Sequence, residues 1–435
     1  MHSGTFKEFG KYVSLNVMGM IGLSCYILAD TFFVSKGLGT DGLAALNLAI
    51  PVYSFIHGSG LMIGMGGGTR YSILKSRGER EEVHRTFTNA VYLAGGFAVF
   101  FMLLGLFFSG EILRLFGAQG RVYDMSLTYL TVILLFAPAF LMNNVLLCFV
   151  RNDGAPQLSM AAMIGGSLSN VVLDWVFIFP CGMGIFGAVF ATGLAPVISM
   201  AILSPHMIRK HNGFHLVKCL PQGKRMIRIL TSGVPSLVTE VSSGIVMIVF
   251  NSIIMGLQGN VGVAAYGVIA NLSLVIMAVY TGIAQGIQPL ISKSFGAGRR
   301  DELQVFLRYG LTVMLIFSVV IYGGLFLGAE QVAAVFNSEN NEMLQKIAVE
   351  GIRLYFIACP FAGFNIITSV YFTSGGNPGP ANIMSVLRGF LVIIPMAFLL
   401  SRAAGIVGTW CAFPVTEAAV AALGAVFYFR AQRAR

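Results

Sequence analysis

Four positions in this 435-residue chain carry oxygen-bearing side chains inside runs that are otherwise oily: Asp30 in YILADTFFV, Asn170 and Asp174 in SNVVLDWVFIF, and Thr192 in ATGLAP. An aspartate at the centre of a membrane helix costs roughly 2.5 to 3.5 kcal/mol, so it is retained there for what it does. Asn170 and Asp174 are i and i+4 and share one helical face, and Ala188 and Thr192 have the same spacing. At a rise of about 1.5 Å per residue, Asp30, Asp174 and Thr192 come to a similar depth, well past the middle of the bilayer from the side of the termini. Two carboxylates together in a low dielectric do not both stay ionised without a cation. Such a pair is expected to exchange protons or to hold a small hard cation through oxygen ligands. The plainer alternative for any one of them is a carboxylate near a helix end that reaches water. The equivalent positions of the second half are Phe250, Val392 and Met396, so the set belongs to the first half alone.

The elements that must position these groups follow from composition. The chain is 56% hydrophobic and 11% charged, against about 25% charge in a soluble domain. This predicts an all-α polytopic membrane protein. Apolar windows place twelve transmembrane helices near 12–35, 45–68, 87–109, 125–150, 158–180, 184–208, 229–256, 262–292, 309–328, 348–373, 379–401 and 404–429. Of the 28 Lys and Arg, 21 fall on the side of the termini (before the first span, in 69–86, at Arg151, in 209–228, in 293–308 and at the C-terminus). Six face the other side (Lys36, Arg114, Arg121, Lys346, Arg353, Arg402), and Arg388 lies within a span. The positive-inside rule then predicts cytoplasmic termini in a cell inner (plasma) membrane protein. The net charge of +10 is thereby a matter of topology, and nucleic acid is not an expected partner. Six scattered cysteines give neither a CxxC pair nor a disulfide framework, and the first apolar run, which contains Asp30 and lacks a small-residue cleavage site, is not expected to act as a cleavable signal.

The halves repeat. GLAALNLAIP from Gly42 matches GVAAYGVIAN from Gly262, and SRGEREEV (76–83) matches GAGRRDEL (296–303), both at an offset of 220. NDGAPQ (152–157) matches SGGNPG (374–379), and Pro138 matches Pro360, at 222. We therefore expect an N-terminal six-helix lobe (1–210), a basic, Gly- and Pro-interrupted cytoplasmic linker (211–228) and a C-terminal six-helix lobe (229–435). Both copies cross in the same sense, so the two bundles should be related by a pseudo-two-fold axis along the membrane normal, with substrate bound between them.

In this order, over twelve spans, YILADTFFVSKGLG with Tyr26 before Asp30, the paired cytoplasmic loops and the NxxxD of the fifth span resemble multidrug and toxic compound extrusion (MATE) transporters of the prokaryotic type with an N-lobe cation site. The resemblance implies a coupling site for H⁺ or Na⁺ at Asp30, Asn170, Asp174 and Thr192 with the Ala188 carbonyl, and a supporting network of Tyr26, Tyr129 and Asn144. It implies lipophilic, often cationic, small-molecule substrates exported by alternating access, no other cofactor and no catalytic residue, and a chain acting as a monomer. Many relatives carry a proline fifteen residues before the first-helix Asp, where this chain has Leu15. Glu240 resembles a C-lobe acid of some relatives and is a candidate substrate or proton site, or a partner for Arg388.

Weaker signals point elsewhere. The run GMGGGTR (64–70) lacks the GK[ST] of a nucleotide loop and fits close helix packing, so no nucleotide is expected. A flippase for lipid-linked saccharides would need several intramembrane basic residues. An intramembrane aspartyl protease would carry a GxGD motif, and here VVL precedes Asp174. Glu417 is a further intramembrane acid without an assigned role.

Overall fold

The computed structural model describes residues 2–337 and 340–433; Arg435, counted above among the C-terminal charges, lies outside the described residues. The regular elements among the described residues are all helices. The first half comprises α1 (His2–Ser76), α2 (Arg80–Phe107), α3 (Ser109–Leu115), α4 (Gly120–Leu135), α5 (Ala137–Asn152), α6 (Pro156–Ile178) and α7 (Gly184–Ile208). The second comprises α8 (Gly223–Gly296), α9 (Arg300–Leu327), α10 (Ala329–Phe336), α11 (Glu342–Tyr355), α12 (Cys359–Ser374), α13 (Pro378–Val386) and α14 (Ile393–Arg433).

Among the described residues eight helical stretches are long and apolar enough to cross a membrane, and α4 with α5, bent by 47° at Phe136, makes a ninth. Three of the eight contain two spans joined without a loop: α1 breaks at Gly39, α8 at Gly259, and the stretch ending in α14 at Ala404–Gly405. The crossings are therefore twelve, as expected, and the corrections concern how they connect. A single positive-φ glycine replaces each loop anticipated between the first and second, seventh and eighth, and eleventh and twelfth spans. The helix α1 has no break in its helical backbone before Gly39, so its first arm, with Leu15, is continuous as far as that glycine.

The repeat is visible in the backbone. Gly39 (φ 67°, ψ −157°) and Gly259 (φ 62°, ψ −153°) differ by the offset of 220 found in the sequence. Gly78 and Gly298 share positive φ at that offset, and Gly154 and Gly376 at 222. Pro138 and Pro360 each open a helix just after a break, at Phe136 and at the 3-10 turn Phe356–Ala358.

The lobes meet at the ends nearest the termini. Glycines there let backbones touch: a Cβ on Gly66 would lie 1.9 Å from the Ile229 carbonyl oxygen, and one on Gly233 1.8 Å from that of Met62. Gly286 and Gly282 approach Val13 and Val17 in the same way on the other side of the pseudo-axis. Thr69, Asn152 and Gln288 are hydrogen-bonded across the interface at 2.9–3.1 Å, and Lys293 pairs with Glu8 at 3.1 Å.

The linker is not a free loop. It lies along α2, where the His215, Val217 and Gln222 N–H groups donate to His84 Nδ1, Thr88 Oγ1 and Asn89 Oδ1. Phe214 is fully buried against Tyr71, Phe87 and Phe149.

Candidate functional site

Small residues bring the sequence-predicted residues together. Gly19, Gly22 and Gly37 of α1 face Met163, Ile164 and Ile178 of α6, while Gly166 of α6 meets Ala195 and Ser199 of α7. Such faces let helices approach closely in lipid, where no hydrophobic force draws them together. The result is that Asp30, Asn170, Asp174, Thr192 and Tyr129 are all buried at one place. The Asp30 and Asp174 carboxyl groups are within hydrogen-bonding reach of each other. With its amide turned as its neighbours require, Asn170 donates to Asp174 Oδ2 at 3.0 Å and accepts the Thr192 N–H at 3.3 Å. The Thr192 hydroxyl donates to the Ala188 carbonyl at 3.0 Å and meets the Tyr129 side chain. Asp30 Oδ1 and Asp174 Oδ1 are buried without a hydrogen-bond partner among the described residues. That donor set (two carboxylates, an amide, a hydroxyl and a carbonyl, all oxygen) suits a proton or a small hard cation. Among the described residues no group of three or more His, Cys, Asp or Glu could hold a metal ion.

Beside this cluster a cleft, lined by Tyr26, Tyr53, His57, Asn144 and Glu240, reaches down to Arg151 and Gln285 at the seal between the lobes. Tyr26 OH and Tyr53 OH are 3.1 Å apart, the Tyr53 ring stacks on His57, and His57 Nδ1 lies 3.3 Å from Asn144 Nδ2. Asn144 thus sits on the cleft wall against Gly60 and Gly64 and is joined through His57 to the two tyrosines. Sequence reasoning missed Tyr53 and His57, whose i, i+4 spacing was the available signal.

The C-lobe corrects one expectation. Arg388 does not pair with Glu240: its Nε and Nη2 grip the Glu417 carboxylate, with Nη2–Oε1 at 2.8 Å, and Asn365 Nδ2 donates to Glu417 Oε2 at 2.7 Å. Arg388 lies in a π-helical turn, Leu387–Leu391, that shifts the register of the helix. Glu240 instead lines the cleft, half-buried, against Gly58. Arg151, counted as a loop charge, is 1% exposed and lies at the cleft floor.

The family model MatE matches residues 17–176 and 235–399. The chain belongs to the MatE family. It is 25% identical over 434 residues to the multidrug export protein MepA of Staphylococcus saprophyticus, covering 98% of this chain and 95% of that one. To MepA of Staphylococcus aureus it is 24% identical over the same shares. Its fold matches, with a TM-score of 0.91, 23% identity and coverage of 97% and 95%, a multidrug resistance MATE family transporter of the MOP superfamily solved in an outward-facing conformation. This MatE chain is therefore a twelve-helix, multi-pass membrane protein of two pseudo-symmetric lobes.

Proposed function

We propose that this chain is a secondary antiporter that expels lipophilic, often cationic, small molecules as H⁺ or Na⁺ enters. It would act as a monomer in the plasma membrane with both termini cytoplasmic. The observation that carries the reading is the buried Asp30–Asp174 pair beside a cleft lined by residues of both lobes. Proton or cation binding between two touching carboxylates removes their repulsion. Its loss would restore that repulsion and move α1 against α6, reshaping the cleft. The lobes are sealed toward the termini, so with cytoplasmic termini the cleft opens outward. The MepA relatives, named as multidrug export proteins, support the cargo class.

The test is efflux of ethidium from proteoliposomes with a pH gradient and a sodium gradient imposed separately. The expected result is gradient-driven efflux that Asp30→Asn or Asp174→Asn abolishes while expression is intact. Undiminished efflux in both variants would refute the coupling site.

A further inference from the structure

A guanidinium buried in a membrane protein normally faces a carboxylate, and Arg388 does: its Nε/Nη2 edge, the side that forms two parallel bonds, is filled by Glu417. Arg151 presents the same edge to no oxygen. Its Nη1 donates to Asn16 Oδ1 at 3.0 Å and Gln285 Oε1 at 2.8 Å, both neutral amides. Its Nη2 meets only sulfur, Met65 Sδ at 3.2 Å and Cys148 Sγ at 3.6 Å, and its Nε is buried without a partner. Asp153, two residues on, is taken by Lys75, Tyr71, His206 and the Gly213 N–H. Thioethers and thiols are weak acceptors, so the charge is uncompensated among the described residues. It also lies at the floor of the cleft whose walls carry Tyr53, His57, Phe140 and Glu240.

We propose that the Nε/Nη2 edge of Arg151 is an anion subsite that takes the carboxylate of a cargo whose aromatic body lies against the tyrosines above it. The inference rests on the efflux reading and deepens it: the cleft accepts molecules with a carboxylate as well as plain lipophilic cations. A carboxylate would displace the two sulfur contacts and leave the Asn16 and Gln285 bonds in place.

The test uses two dyes with one chromophore, rhodamine 110, which carries a free carboxylate, and rhodamine 123, its methyl ester. Binding to the purified full-length protein is read by fluorescence anisotropy. Arg151→Gln is expected to weaken rhodamine 110 by about tenfold or more and to leave rhodamine 123 within about twofold. Met65→Glu, which supplies a carboxylate from the protein itself, should likewise weaken rhodamine 110 and spare rhodamine 123 in a folded protein even where Arg151→Gln does not fold. Equal weakening of both dyes, or no change in either, overturns the subsite and leaves the efflux reading standing. Failure of both dyes to bind the wild type overturns both. If chloride, titrated against gluconate, raises the wild-type melting temperature but not that of Arg151→Gln while the dyes are not distinguished, the edge takes a free inorganic ion and the assignment to cargo falls.

Discussion

Asp153 caps α5 and gathers four partners from three segments: Lys75 and Tyr71 at the end of α1, His206 at the end of α7 and the Gly213 N–H of the linker. Burial alone would raise its carboxyl, but these donors outweigh it and hold the group below the usual carboxylate range. A depressed folded value means that the stabilisation is complete above the unfolded pKa, about 3.9, and is lost as pH falls through the folded value. We expect the apparent melting temperature of the purified protein to fall below about pH 4 with a component that Asp153→Asn lacks. At pH 7 the same substitution should cost about 1–3 kcal/mol, because it weakens buried charge-assisted hydrogen bonds. An acid profile identical in both proteins would show that Asp153 does not help to hold the linker, leaving Phe214 and the hydrogen bonds to α2. Asp153 was hidden in the sequence because NDGAPQ reads as an ordinary turn, and its four partners are 53 to 82 residues distant. Asp30 and Asp174 were legible for the opposite reason: a charge in an oily run stands out without any knowledge of its partners.

At the scale of elements, the joints decide the shape. Gly39 and Gly259 hold φ near +65° with ψ near −155°, a region that is essentially glycine-only. A Cβ at either position would meet nothing within 4 Å, so substitution acts on the backbone and not through a clash. Gly39→Ala and Gly259→Ala should each cost about 1–3 kcal/mol, read as a lower melting temperature. Gly95→Ala, in mid-helix and equally uncrowded, should be neutral or stabilising. If all three behave alike, the joints are not strained. Hydropathy located the spans flanking these joints but placed loops there, because a window average cannot tell a single turned glycine from several loop residues. For the same reason the span near 125–150 carried no sign of the 47° bend at Phe136. The register of Arg388 was equally out of reach: the π turn moves its side chain toward Glu417, and sequence spacing that assumes a regular helix points elsewhere.

For the whole molecule, alternating access requires the seal near the termini to break, and the glycines show how tightly it is drawn. At Gly66 and Gly233 the obstruction to a Cβ is carbonyl oxygen, at 1.9 and 1.8 Å, which cannot rotate aside as a side chain can. A methyl group at either site must therefore push α1 and α8 apart, destabilising the sealed state relative to one in which these helices have separated. A destabilisation of about 1.4 kcal/mol would already shift that equilibrium tenfold. Cys148 reports on the change, since it lies buried behind the seal, in contact with Arg151 and close to Gly64. In a background where Cys25, Cys181, Cys219, Cys359 and Cys411 are replaced by serine or alanine, Gly66→Ala or Gly233→Ala should speed maleimide labelling of Cys148 by about tenfold. The matching substitution Gly286→Ala, where the obstruction is Val13 Cα at 2.7 Å, should act in the same direction and less strongly. Because the two contacts are related by the pseudo-axis, the double variant should open the seal further than either alone. Unchanged protection of Cys148 in folded Gly66→Ala and Gly233→Ala proteins would mean that the lobes yield elsewhere and that this glycine contact is not the hinge of access.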